Sequence, residues 1–360
     1  MQMKSSILVT GGAGYIGSHT AVSLAKAGFR VVLLDNYSNS DFKAVHGVRS
    51  LINAEVPFYE VDCRDKDGLI DVFRTEKDKG HLIKGVIHFA ALKSVGESVE
   101  NPDLYKDNNI LGTQRLLEVM REFEVKNLVF SSSCTVYGEP EVVPVDENAP
   151  FLEAESPYGF TKQACERLIV NHMKPNPEFN AAILRYFNPI GAHPSATIGE
   201  SPSGVPNNLV PYLCQSVAGI RGELQVFGTD YPTPDGSCIR DYLHVMDLAE
   251  AHVSSLEFLF KDKLRGQDTG WRAYNLGAGK GASVLEVIQA FENVTGLKVP
   301  YSIAERREGD VVAIWANASR AKDELGWEAK RSLEEALNDS WKWQKKKTRF
   351  TMNRAFFLIC

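Results

Sequence analysis

Tyr158 and Lys162 lie one helical turn apart in SPYGFTK, residues 156 to 162. On an α-helix, i and i+4 side chains share a face, with Cβ atoms about 6 Å apart. A phenol beside an ammonium can act as a proton-transfer pair. Unperturbed Tyr has a pKa of about 10, and lowering it to about 7 takes roughly 4 kcal/mol of preference for the phenolate. One ammonium at roughly 5 Å, with an effective dielectric near 20, supplies about 3 kcal/mol. Such pairs also occur by chance on helix surfaces, so the reading depends on a second site elsewhere in the chain.

That site is the stretch ILVTGGAGYIG. Gly12, Gly14 and Gly17 fit G-x-G-x-x-G, while Gly11, Gly14 and Gly17 fit the looser G-x-x-G-x-x-G. The glycines permit a tight turn, close approach of backbone to a pyrophosphate, and close helix–strand contact. The anion then meets the free N–H groups of a helix beginning near Tyr15. Asp35 closes the second strand, where a carboxylate accepts from adenosine ribose hydroxyls and repels a 2′-phosphate. Asn36 follows it instead of an Arg, which points to NAD over NADP. The positive nicotinamide of oxidised NAD would supply what Lys162 leaves short.

Short apolar runs alternate with helical patterns, as in βαβ units around a parallel sheet buried on both faces. The expected strands are residues 7–11, 30–35, 57–62, 85–90, 127–133 and 181–187. Between them, residues 111–123 and 162–173 carry apolar side chains at helical spacing. After about residue 188, Gly, Pro and Asn become dense, as in long loops. The fold class is α/β, a Rossmann-like doubly wound parallel sheet with a smaller C-terminal α/β substrate-binding domain. Residues 1–188 form the NAD-binding domain, with later segments returning to it; 189–344 mainly form the substrate domain, and 345–360 a tail, docked or disordered.

The net charge of −6 gives no sign of a nucleic-acid or anionic-membrane surface. Any anionic ligand needs local cations, and Arg240 and Arg307 are of the type that grips phosphate bidentately. On spacing alone, ion pairs with Asp241 or Glu308 are equally good partners for them. The six cysteines lack disulfide or metal-knuckle spacing, so reduced thiols and a cytoplasmic location are expected. No run approaches a membrane span. The histidines show no metal-ligand spacing, so no metal is expected, and His244 and His252 read as structural. A serine at a strand's C-terminal end sits where open α/β sheets bind ligands, but Ser131, Ser132 and Ser133 cannot be told apart on sequence.

TGGAGYIGSHT, DNYSNS, HFAALKSVGES, FSSSCTVYGE, SPYGFTK, LRYFNPIGAHPS, GVPNNLVPY, RDYLHVMDLA, YNLGAG and RREGD occur in this order. With them the chain resembles extended short-chain dehydrogenase/reductases and, within those, the UDP-galactose 4-epimerase family, from near residue 7 to about 344. The resemblance implies Tyr158 as acid/base, Lys162 as its electrostatic partner and Ser133 as hydrogen-bond group at the sugar 4-OH, assisted by Thr135. For NAD, tightly bound and regenerated each cycle, it implies the glycine loop with Tyr15 and Ile16, then Asp35, Asn36, Tyr37, Ser38, Asn39 and Ser40 around the adenosine. Asp62 and Cys63 flank the adenine, and Phe89, Ala90, Ala91, Leu92, Lys93, Asn108 and Phe187 line the rest. For a UDP-hexose it implies Lys93, Asn188, Asn208, Leu209, Val226, Phe227, Arg240 and Arg307.

The activity so implied is reversible C4 inversion of UDP-glucose and UDP-galactose through a bound 4-keto sugar, in galactose metabolism, by a homodimer. Ile314 stands where the family controls room for an N-acetyl group, so partial turnover of UDP-N-acetylhexosamines is expected. A 4,6-dehydratase would need an Asp-Glu pair after the strand-end serine, where this chain has Cys134-Thr135. A non-catalytic NAD sensor on the same fold would have no need for both Tyr158 and Lys162.

Overall fold

The computed structural model describes residues 4–261, 264, 270–307 and 310–357. Its main sheet has seven parallel strands: β1 (Lys4–Thr10), β2 (Phe29–Asp35), β3 (Phe58–Glu60), β4 (Ile83–His88), β5 (Asn127–Ser133), β6 (Asn180–Tyr186) and β7 (Trp271–Leu276). They lie in the order β7-β6-β5-β4-β1-β2-β3. The strands are nearly all apolar because both faces are covered. Ile7 and Val9 join one core, against Ala21 and Val22 of helix α1 (Tyr15–Lys26). Leu8 joins the other, with Val72 of α2 (Lys66–Asp78), Met120 of α3 (Gly112–Glu122) and Ile169 of α4 (Pro157–Met173).

The strand order reverses between β1 and β4, and a crevice opens there beyond the carboxyl ends of the strands. The glycine loop follows β1, residues 89–93 follow β4, Ser133 ends β5 and Phe187 follows β6. Two strands stop two residues earlier at this end than their apolar runs suggest. β3 stops at Glu60, and β4 stops at His88, where the chain bends tightly past the glycine loop. A Cβ on Gly11 would come within 2.8 Å of the Ala90 nitrogen.

A second core gathers Val210 and Leu213 of α5 (Leu209–Val217), Val226, Val287 and Phe291 of α7 (Val284–Thr295) and Leu337 of α8 (Leu333–Phe357). Later segments return to the main sheet: helix α6 (Val245–Phe260) packs on α1, and β7 pairs with β6. Residues set apart as a tail from 345 continue α8 as helix through Phe357, and Lys347 donates to Ser201 Oγ at 2.7 Å. Residues 358–360, with Cys360, lie outside the described residues. The five described cysteines are free thiols. Among the described residues no helix is long and apolar enough to cross a membrane, and no group of three His, Cys, Asp or Glu could hold a metal ion.

Candidate active site

Ser156 starts α4. Its hydroxyl accepts from Gly159 N at 3.1 Å, and Pro157 fills the first turn, the preferred residue types at N-cap and N1. This start turns Tyr158 and Lys162 towards β5. Lys162 is 3% exposed and donates to the Ser131 carbonyl at 2.7 Å, with its Nζ 5.8 Å from the Tyr158 ring centre. Burial lowers the ammonium to about 8. The Tyr158 phenol is pushed well above its ordinary value by burial, with the Ser133 hydroxyl pulling the other way. The downward pull expected jointly of Lys162 and the positive nicotinamide of NAD is opposed by this burial. Desolvation outweighs an ammonium that is itself dried out and committed to a carbonyl.

The three serines separate cleanly. Ser131 meets the Tyr186 hydroxyl, and Ser132 donates to buried Glu166. Ser133 accepts from Thr135 N at 3.3 Å and turns to Tyr158. Thr135 Oγ1 is buried with no hydrogen-bond partner among the described residues, so it is free to take one from a ligand. Behind α4, Arg185 Nη2 donates to Glu166 at 2.7 Å and its Nη1 to Tyr137 at 3.0 Å; Tyr137 in turn donates to Asn275 at 2.7 Å. This buried network ties the catalytic helix to β6 and β7.

The glycine loop is a cradle that side chains would fill. Gly11 has φ +68°, and a Cβ on Gly17 would lie 2.2 Å from Gly11 O, one on Gly14 3.0 Å from it. Asp35 Oδ2 accepts from Ala13 N at 3.0 Å, and Oδ1 from Tyr37 N at 3.0 Å and Ser40 Oγ at 2.8 Å. The carboxylate thus pins the loop and, with about four acceptor sites, keeps room for a ribose hydroxyl. Asn36 donates to Asp62 at 2.9 Å, and the Arg64 guanidinium holds the Asp62 carboxyl down at about 2. Burial pushes the Cys63 thiol up to about 12. Tyr15 spans the cleft to donate to Gly191 O at 2.6 Å. Ile16, Phe89, Ala90 and Ala91 are partly buried, Leu92 and Phe187 buried, and Ser38 and Asn39 exposed. These residues fit a dinucleotide: backbone amides for its pyrophosphate, a carboxylate at one end, apolar walls along its length.

Asn108 donates to Asn109 Oδ1 at 3.0 Å, and it is buried Asn109 that organises this corner. Asn109 accepts from Leu92 N at 2.8 Å and donates to Leu92 O and Thr161 Oγ1, both at 3.0 Å, so one amide clamps the 89–93 loop to α4. Sequence reading missed it because Asn109 sits in a π-helical stretch, Lys106–Leu111, that re-aims the side chains of an otherwise ordinary helix.

Across the cleft, Arg240 and Arg307 converge on one carboxylate. Asp310 accepts from Arg240 Nη2 at 3.4 Å and from Arg307 Nη2 at 2.7 Å. The alternative partner Asp241 is thereby corrected. Asp241 is fully buried and accepts from Ala278, Gly279 and Ala316 N–H groups, while Glu308 lies outside the described residues. Asp310 was legible as the last residue of RREGD but was given no role. Arg240 and Ile314 are neighbours across a parallel ladder, and Ile314 packs with Val136, Tyr137 and Phe187. Phe227 is exposed beneath the Arg307 guanidinium at 5.6 Å, and Asn188, Asn208 and Leu209 reach the cleft side at least partly exposed. Val226 does not: its side chain is fully buried in the second core, where α5 packs on its strand, while Phe227 faces out. Only its main chain is left for a ligand.

A parallel sheet with a glycine cradle at its switch point, and a Tyr-x-x-x-Lys helix against the end of β5, define an extended short-chain dehydrogenase/reductase. The family model for GDP-mannose 4,6 dehydratase matches residues 8–340. The UDP-glucose 4-epimerase of Bacillus subtilis is 51% identical over 339 residues, 94% of this chain and 96% of that protein. The structure of UDP-glucose 4-epimerase from Stenotrophomonas maltophila, with bound NAD and formylated UDP-arabinopyranose, superposes with a TM-score of 0.91 at 46% identity, covering 96% of this chain and 99% of that one. That from Bifidobacterium longum, in complex with NAD and UDP, gives 0.89 at 43%, covering 95% and 98%. The chain belongs to the UDP-glucose 4-epimerase family of these reductases and is an isomerase.

Proposed function

We propose that this protein interconverts UDP-glucose and UDP-galactose by inverting the sugar C4, with NAD held in the glycine cradle. The observation that carries this reading is the meeting of Tyr158 and Ser133 at the end of β5, with Lys162 fixed beneath them by the Ser131 carbonyl. NAD, when bound, supplies the hydride acceptor and the positive charge that favours a phenolate. Tyr158 takes the 4-OH proton and returns it after the sugar has turned, leaving a 4-keto sugar in between. Ser133 and Thr135 hold the 4-oxygen. Arg240 and Arg307 leave Asp310 in part to grip the diphosphate, so the nucleotide stays while the hexose is free to rotate. With no carboxylate pair beside Ser133, a dehydratase has no group to eliminate water. Incubation with UDP-galactose should yield UDP-glucose. No product, with NAD confirmed bound, would overturn the proposal.

Residues 1–188 with β7 returning make the NAD side, and residues 189–344 mainly the UDP-sugar side. Family resemblance supports a cytoplasmic homodimer acting in galactose metabolism, and exposed Val99, Leu104 and Phe160 support a surface for the second copy. Sedimentation at the monomer mass would contradict the dimer. Ile314 is smaller than Tyr and bulkier than Cys, which supports partial turnover of UDP-N-acetylgalactosamine. Binding of that sugar nucleotide with no turnover would contradict it.

A further inference from the structure

Glu200 has no part in the motifs above, yet three parts of the molecule meet on it. Its main chain is fixed from outside the cleft. Trp343 Nε1 of α8 donates to Glu200 O at 2.8 Å, and Gly199 lies flat on the indole, where a Cβ would come within 2.5 Å of the ring. The side chain points the other way and is 11% exposed. Its Oε1 accepts from Lys93 Nζ at 3.0 Å and from Asn208 Nδ2 at 3.0 Å. One oxygen therefore joins the loop after β4 to the start of α5.

Asn208 is the N-cap residue of α5, and Asn is among the best caps because its oxygen can take a first-turn N–H. Here its side chain makes no cap bond. The Nδ2 donor is turned to Glu200, which orients the side chain so that its oxygen caps neither Leu209 nor Val210 N–H.

We propose that Glu200 is a positioning residue for the sugar nucleotide, acting through Asn208 and tied to the cofactor side through Lys93. The carboxylate keeps Asn208 from folding back over its own helix start, and its charge holds Lys93 on the same oxygen. This rests on the proposed contact of Asn208 with the UDP-sugar.

The test uses the full-length, NAD-loaded enzyme with UDP-galactose. Glu200→Ala should raise KM about tenfold, the loss of one charge-assisted hydrogen bond, with kcat within about twofold. Glu200→Gln keeps an acceptor for Asn208 and should bring KM back to within about threefold of the parent. Glu200→Ala combined with Asn208→Ala should be no worse than Asn208→Ala alone. Full additivity, or a fall in kcat at unchanged KM, overturns the proposal. If Glu200→Ala does not fold, Asn208→Asp sets two carboxylates together and should raise KM, and adding Glu200→Gln should restore it by reversing the hydrogen bond. No restoration overturns the proposal. An Asn208→Ala variant with unchanged KM would remove the contact on which it rests, whereas raised KM there and normal KM in Glu200→Ala would remove the Glu200 role alone.

Discussion

The Tyr158 hydroxyl is the group on which the chemistry turns, and its own protein surroundings keep it protonated. Tyr158→Phe should fold and keep both ligands but lose about 10²- to 10⁴-fold in rate, the usual worth of a positioned acid/base. Near-normal epimerisation in that variant would rule out its proton-transfer role. Lys162 makes a second prediction through stability. Its folded pKa, lowered to about 8 from 10.5, means that the buried ammonium costs stability fully below pH 8 and is relieved as pH rises towards 10.5. Lys162→Met removes that cost, so its melting temperature relative to the parent should be most favourable at pH 7 and decline by pH 10. A difference that stays constant with pH would contradict the buried charge. Tyr158, Lys162 and the glycines were legible because their chemistry depends on spacing along one element. The choice among Ser131, Ser132 and Ser133 was not, since it depends on Tyr186 and Glu166 arriving from other elements to claim two of the three hydroxyls.

At the scale of elements, apolar runs marked the strands of the main sheet through β6, and helical spacing over 162–173 marked the body of α4, because backbone sterics and two-sided burial act locally. The π-helical stretch Lys106–Leu111 and the Asn109 clamp were hidden, since a one-residue widening leaves the composition of a helix unchanged. Likewise, Val226 and Phe227 are consecutive in sequence and opposite in burial, and only strand register says which faces the cleft. The junction of β1 and α1 offers the sharpest test here. Gly17→Ala places a Cβ 2.2 Å from Gly11 O, so either the helix start or the turn must move. NAD retained through purification, measured after acid release, should fall at least about tenfold, while far-ultraviolet circular dichroism stays near the parent's because the packing of α1 further along is untouched. Full NAD retention would mean that the close approach is not needed for the pyrophosphate.

Taken as a whole, the molecule stores four imidazoles in its interior, His19, His88, His244 and His252, and burial lowers all four, the first, second and last of them furthest. His88 lies between Thr10 and Thr113 hydroxyls, His252 is bonded to Leu248 O, and His19 to Tyr15 O. Burial lowers them to about 3, 4 and 3 respectively. All three are neutral in the folded protein and gain protons on unfolding below the ordinary histidine value of 6.5. Their contribution is therefore complete above pH 6.5 and is lost as pH falls towards 4. Three protons correspond to a slope of roughly 4 kcal/mol per pH unit, against a total stability of roughly 5–15 kcal/mol for a folded domain. Acid lability should set in between pH 6 and 5, well above the range where the Asp62 carboxyl titrates at about 2. Calorimetric unfolding at pH 5 in two buffers of different ionisation enthalpy should register uptake of at least about three protons, with buried His244 adding to the three. Uptake of less than one would mean that these histidines are charged or solvated in the fold, and that the sheet faces they occupy are wetter than their burial implies.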